Sequence, residues 1–179
     1  MHLEVKTERT RIRTVTQEDS DALLSYYRRN KDHLASREPT RNDSFYTLLH
    51  WQTWINEAQE RAALDLGYHF VVFDGDELIG VCNLSNVVRG VFQACNLGYS
   101  ISADREGLGL AREFVGAVVD LAFGELELHR IMANYKPDNE RSGKLLAALG
   151  FEKEGLARDY LFINGAWRDH VLTSKISAK

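Results

Sequence analysis

The sequence predicts an α/β (α+β) fold, a mixed and mostly antiparallel sheet flanked by helices. Three observations predict it. Apolar residues switch repeatedly between the two-residue alternation of a strand and the three-to-four spacing of a helix. Two turn signals, Asp74-Gly75-Asp76 and Asn164-Gly165, each separate runs of strand-forming residues. A glycine-containing segment, 105–110, leads into a stretch with Leu110, Phe114, Val118 and Leu121 on one helical face.

Taken in order, residues 9–14 alternate short polar and branched side chains and read as a first strand. The segment Thr16-Gln17-Glu18-Asp19 has the form of a capping box and opens a helix running to about residue 29. The polar stretch 30–43, which contains Pro39, is expected to be a loop before a long helix over about 44–66. Its aromatics Phe45, Tyr46, Trp51 and Trp54 are expected to serve packing. Residues 68–73 and 77–84 make the first hairpin, and a second turn around 86–90 leads into a strand over 92–102. Gly98 in that strand's interior marks a bulge or a close backbone approach, a place where a ligand can lie. After the helix that begins near Leu110, residues 129–135 form a further strand. Pro137-Asp138-Asn139 ends it, and a helix over 140–149 stops at Gly150. Strands 151–163 and 167–174 close the sheet. No repeat, low-complexity segment or linker interrupts the chain, so residues 1–179 are expected to form one domain.

A net charge of -4, with 44% hydrophobic and 27% charged residues, belongs to an ordinary globular chain. It argues against a broad nucleic-acid-binding surface, and is compatible with a small cationic partner or a basic protein tail. The longest apolar runs, such as 70–73, are far too short to span a bilayer, and the N-terminal segment lacks the apolar stretch of a signal peptide. A cytoplasmic location without membrane contact is therefore expected. Cys82 and Cys95 are too few for a disulfide framework and lack the companions of a zinc site. They read as reduced, partly buried thiols, and no metal is implied.

The chemistry concentrates in two segments. Asp104-Arg105-Glu106-Gly107-Leu108-Gly109-Leu110-Ala111 joins a strand to an amphipathic helix. Such a turn presents free backbone N–H groups at a helix N-terminus, where the helix dipole also favours a phosphate, and its glycines let a ligand approach the backbone. It is neither a P-loop, since no Gly-Lys-Ser/Thr follows, nor a dinucleotide fingerprint. The second segment is the strand 129–135, with Asn134, followed by Asn139-Glu140-Arg141-Ser142 at a helix start. Read alone, Asn139 is a helix cap and Ser142 a solvated first-turn residue.

Together these segments resemble the GNAT superfamily of acetyl-CoA-dependent N-acetyltransferases. The family's pyrophosphate loop reads Gln or Arg, two residues, Gly, one residue, then Gly or Ala. Here it falls on Glu106-Gly107-Leu108-Gly109-Leu110-Ala111, with Glu106 in the Gln/Arg position. Over roughly 78–173 the chain is similar to the RimJ-type ribosomal-protein-alanine N-acetyltransferases. The similar stretches are 83–90, 97–101, 129–135 and 160–173, the last with Asn164-Gly-x-Trp-Arg-Asp-His170.

The resemblance implies a GNAT fold with a V-splayed sheet and acetyl-CoA inserted between strands 92–102 and 129–135. It implies cofactor contacts from Ile101, Glu106, Gly107, Leu108, Gly109, Leu110, Ala111, Asn134, Asn139 and Ser142. The backbone N–H of Ile101 would face the thioester carbonyl, Asn139 would hold the pantetheine arm, and Ser142 would protonate the CoA thiolate. The implied acceptor is the N-terminal alanine of a ribosomal protein. A small amine such as a polyamine, an amino acid or an antibiotic is the alternative, and a non-catalytic acyl-CoA-binding module a third reading. An acidic Glu106 beside a pyrophosphate would repel it, so either Glu106 turns away or Arg105 supplies a cation.

Glu106, His129, Asp159, Asp169 and His170 are all of a type suited to a general base, and no spacing selects one. An α-amine titrates at about 7.7 to 8.0 against about 10.4 for lysine, so a modest base acting through water suffices for an N-terminal acceptor. His33, His50 and His69 are expected to be solvated or packed. Trp167, Arg168, Asp169 and His170 follow the last hairpin, and in a GNAT sheet that region borders the substrate side.

Overall fold

In the computed structural model, which describes residues 2–35 and 39–178, eight strands form one sheet. In chain order they are β1 (Glu4–Lys6), β2 (Arg11–Thr14), β3 (Gly67–Asp74), β4 (Glu77–Val88), β5 (Ala94–Ile101), β6 (Arg130–Met132), β7 (Glu152–Ile163) and β8 (Ala166–Ile176). Five helices accompany them: α1 (Ser20–Arg29), α2 (Lys31–Ala35), α3 (Leu48–Ala63), α4 (Leu110–Gly124) and α5 (Glu140–Ala148). The spatial order is β1-β2-β3-β4-β5-β6-β8-β7. Neighbours are antiparallel throughout, except that β5 and β6 run parallel.

Strand alternation decides the layers. On one face Ile12, Phe70, Val72, Cys82 and Leu84 meet Phe114, Val115 and Val118 of α4 and Leu146 of α5. On the other, Val71, Phe73, Leu78 and Val81 meet Leu23 and Tyr26 of α1 and Trp51 and Ile55 of α3. The central strands are therefore buried on both sides. The expected packing role of the aromatics holds for Phe45 and Trp51, both buried, with Tyr46 and Trp54 packed against them. Cys82 and Cys95 are free and fully buried, and burial pushes the Cys95 thiol up to about 12.

The boundaries differ from expectation where tertiary pairing overrides local pattern. Glu4–Lys6 is a strand because it pairs with β2; its exposed, half-buried, exposed alternation covers only three residues, too few to mark a strand by themselves. The expected loop 30–43 contains α2, and the expected helix 44–66 begins with a 3-10 turn before α3. The capping segment forms a 3-10 turn before α1. There the Asp19 carboxylate accepts the Thr16 N–H at 2.7 Å and two Arg13 N–H bonds at 2.7 and 2.6 Å. That buried pair ties α1 to β2. The register at Gly98 is regular, opposite Asn83, so no bulge occurs there. Among the described residues, no helix is long and apolar enough to cross a membrane.

Candidate active site

The site begins where the sheet comes apart. β5 and β6 pair only at Ala94↔Arg130, Cys95↔Ile131 and Asn96↔Met132. Beyond that, β5 stays on β4 through Ile101, while the chain after Met132 keeps only its β8 partner. The Ala133 N–H donates to the Thr173 carbonyl at 3.0 Å, and Tyr135 and Val171 exchange two bonds at 3.2 and 2.8 Å. The expected strand 129–135 is thus only three residues long in the sheet, because its second half has left β5. A cleft of about 550 Å³ opens between the parted strands. Its walls are residues 97–101, residues 133–136, the glycine turn, the first turn of α5, and His33 and Leu34 of α2.

Strand alternation fixes which backbone groups face this opening. The Ser102 N–H donates to the Ile79 carbonyl of β4 at 2.8 Å. One residue back, the N–H of Ile101 therefore points away from β4, into the gap. Gly98, where an added Cβ would meet nothing within 4 Å, leaves the wall of the cleft open.

The turn before α4 holds Gly107 at φ +76° and Gly109 at φ +79°, left-handed values that glycine adopts without cost. Gly109 occupies the N-cap position and no side chain caps the helix, so its first N–H groups remain available to a ligand. Arg9 braces this turn from the β1–β2 connection, donating to the Leu108 carbonyl at 2.9 Å and to the Glu113 carboxylate at 2.8 Å. Gly107, Gly109 and Ala111 line the cleft. Leu108 and Leu110 do not line it, the Leu110 side chain being buried in the core and that of Leu108 exposed.

Glu106 lines the cleft with its carboxylate paired to Arg141 of α5 and with His33 Nε2 at 3.5 Å. Arg105 does not replace it as a free cation, being tied to Glu77 at 2.7 Å and to Asp74 at 3.7 Å. Arg112, Lys136, Arg141 and Lys144 also line the cleft, with Arg141 paired to Glu106, Lys136 to Asp138 at 3.8 Å and Lys144 to Glu140 at 3.6 Å.

Asn139 caps α5, its side-chain oxygen accepting the Ser142 N–H at 3.3 Å, and both residues line the cleft. Ser142 Oγ lies 2.6 Å from the Tyr99 hydroxyl, a partner that sequence reasoning missed because it depends on β5 meeting α5 across the opening. Burial pushes the Tyr99 hydroxyl up to about 12 against the lowering effect of that bond. Asn134 also lines the cleft, with its oxygen accepting the Thr173 N–H at 3.3 Å and its amide donating to Tyr160 at 3.3 Å.

Of the five candidate bases, Glu106 and His170 reach the cleft, His170 as a buried residue with Nδ1 3.0 Å from the Arg168 carbonyl. His129 is exposed at the start of β6, on the far side of the paired segment. The Asp159 N–H donates to Asp169 within the β7–β8 hairpin, and neither side chain lines the cleft. Of the three histidines expected to be solvated or packed, His33 enters the cleft, while His69 packs on Trp54 and is paired with Asn83. No group of three or more His, Cys, Asp or Glu among the described residues could hold a metal ion.

A turn that presents amides to phosphate, a gap between parallel strands and a hydroxyl at its far wall are the parts of an acyl-CoA site. The family profile described as an acetyltransferase (GNAT) domain matches residues 9–152, and the chain belongs to that family. The [ribosomal protein uS5]-alanine N-acetyltransferase of Escherichia coli is 47% identical over 170 residues, 94% of this chain and 88% of that protein. The crystal structure of ribosomal-protein-S5-alanine acetyltransferase from Vibrio fischeri superposes with a TM-score of 0.95 at 41% identity, covering 99% of this chain and 98% of that one. Mycobacterium smegmatis RimJ, solved in complex with CoA-disulfide, superposes at 0.89 with 29% identity, covering 94% of this chain and 82% of its own.

Proposed function

We propose that this chain transfers the acetyl group of acetyl-CoA to the N-terminal alanine α-amine of a ribosomal protein. It does so as one domain over residues 1–179, in the cytoplasm, reading a protein terminus rather than nucleic acid. The observation that carries the acyl-transfer reading is the Ile101 N–H turned into the same opening that Ser142 enters. The acceptor is supported by the 47% and 41% identical relatives, both named for acetylating an alanine of a ribosomal protein.

Acetyl-CoA, when bound, supplies an activated acyl thioester. The free amides of the turn at Gly107, Leu108, Gly109, Leu110 and Ala111 hold the pyrophosphate, a role that needs no side chain and tolerates Glu106 turned toward Arg141. Asn139 and Asn134 line the path of the pantetheine arm. The Ile101 N–H polarises the acyl carbonyl as negative charge develops on it. Ser142 gives its proton to the departing sulfur. The amine loses its proton through water to Glu106 or His170, the two base candidates at the cleft.

The test offers acetyl-CoA with a basic peptide beginning with alanine, the same peptide blocked at its N-terminus, and spermidine. Fragment masses should place one acetyl group on the alanine α-nitrogen, with one thiol released per transfer. Acetylation of spermidine or of lysine side chains in preference to the alanine would overturn the acceptor assignment.

A further inference from the structure

We propose that Tyr99 is a positioning residue that aims the Ser142 hydroxyl at the departing sulfur, an inference that rests on the acid role proposed for Ser142. Tyr99 lies on β5 two residues before Ile101, so alternation places both side chains on the same face of the strand. Its ring packs against the core beneath α4, which leaves the phenol little freedom. Its hydroxyl emerges at the cleft 2.6 Å from Ser142 Oγ.

A serine in the first turn of a helix has several acceptors within reach, including nearby backbone carbonyls, and no inherent reason to point at a ligand. Each of the two hydroxyls carries one hydrogen. Phenol is the more acidic of the two and so the better donor, and in the proposed arrangement its hydrogen is the one shared between them. The Tyr99 O–H donates to Ser142 Oγ, and the Ser142 hydrogen is left to the cleft.

The step balances with Tyr99 keeping its proton throughout. The Ser142 O–H bond breaks as the S–H bond forms. Negative charge that builds on Oγ as the proton leaves is held by the Tyr99 hydrogen bond, which strengthens as its acceptor gains charge. The first proton of the ammonium has gone to the base; the second, shed by the nitrogen as it becomes an amide, reaches Oγ through water in the same step, so no free serine alkoxide forms beside the more acidic phenol.

The experiment compares Tyr99→Phe, Ser142→Ala and the double variant by thiol release at saturating acetyl-CoA and alanine peptide. Removing the acid should cost about a hundredfold in kcat. Removing its hydrogen-bond partner should cost about tenfold, with KM for acetyl-CoA little changed. The double variant should be no slower than Ser142→Ala, since Tyr99 acts only through the serine. Acetyl thioesters of more acidic thiols, whose leaving group needs no proton, should return both single variants toward the wild-type rate. A full-rate Tyr99→Phe beside a slow Ser142→Ala overturns the role of Tyr99 and leaves the acid assignment standing. A full-rate Ser142→Ala overturns the acid assignment, and Tyr99 falls with it. Additive losses in the double variant, or rescue of Ser142→Ala but not of Tyr99→Phe by acidic thiols, make Tyr99 a packing residue only; no rescue of Ser142→Ala overturns the acid assignment and Tyr99 with it. Should Tyr99→Phe unfold, 3-fluorotyrosine at position 99 keeps the ring and strengthens the donor. It should hold kcat at or above wild type, and a fall in kcat overturns the proposal.

Discussion

A single methyl group added at Gly80 should damage catalysis from inside the sheet. Gly80 sits on β4 opposite Ile101, and a Cβ built there would lie 2.7 Å from the Ser100 carbonyl oxygen. That oxygen and the Ile101 N–H belong to one peptide unit, so the plane that must yield to the methyl group carries the donor proposed to polarise the acyl carbonyl. Ordinary contact begins near 3.4 Å, which requires a displacement of about 0.7 Å, and the Phe114 ring at 3.5 Å leaves the methyl group no second way out. Misplacement of a reacting group by roughly 1 Å costs about a hundredfold, so Gly80→Ala should lower kcat by about ten- to a hundredfold. Overpacking should also cost about 1 to 3 kcal/mol of stability. Gly67→Ala separates the two effects. Its Cβ would lie 2.9 Å from the Leu84 carbonyl in the same sheet, away from the cleft, so it should lose stability while keeping kcat. The assay is thiol release at saturating substrates, run below both melting temperatures. A Gly80→Ala enzyme at wild-type kcat, or a Gly67→Ala enzyme equally slow, would refute the reasoning.

Three further outcomes follow from the same geometry. Gly109→Ala forces an L-residue to φ +79°, a strain of about 1 to 2 kcal/mol, and should raise KM for acetyl-CoA more than it lowers kcat; unchanged KM would count against the turn as the phosphate site. Asp19→Ala strands the Arg13 guanidinium, whose side chain is only 12% exposed, and should cost about 3 to 5 kcal/mol by urea unfolding, a loss below about 1 kcal/mol contradicting the anchoring role. Burial holds the His69 imidazole below its ordinary 6.5, against the opposing bond to Asn83. The folded state therefore favours the neutral ring, and the stability this gives is full above pH 6.5 and lost as pH falls through 6.5 toward the folded value. His69→Gln should flatten the decline in unfolding free energy between pH 7 and 5, and parallel curves for the two proteins would sink that assignment.

Features set by short-range chemistry were readable in the chain. Gly75 and Gly165 take the left-handed turn values their hairpins need, and Asn139 caps α5 as its side chain requires. The glycine turn lies between β5 and α4, because positive φ and bare amides are local properties of Gly107 and Gly109. What escaped depends on contacts between distant segments. β1 exists through its pairing with β2, and β6 ends at Met132 because the sheet splits there. Glu106 is tolerated at the pyrophosphate turn because Arg141, on another element, pairs with it. The five candidate bases were equivalent as residue types, and only their placement separates Glu106 and His170 from His129, Asp159 and Asp169.

The central claim is that acetyl-CoA lies between the parted strands with its acyl carbonyl at the Ile101 N–H. Backbone amide spectra recorded while CoA and acetyl-CoA are titrated into the protein test it most directly. Both ligands should shift the amides of Gly107, Gly109 and Ala111, and acetyl-CoA should shift that of Ile101 further than CoA does. Val88, at the opposite end of the β4–β5 pair, should stay in place. An Ile101 amide indifferent to the acetyl group would contradict the account.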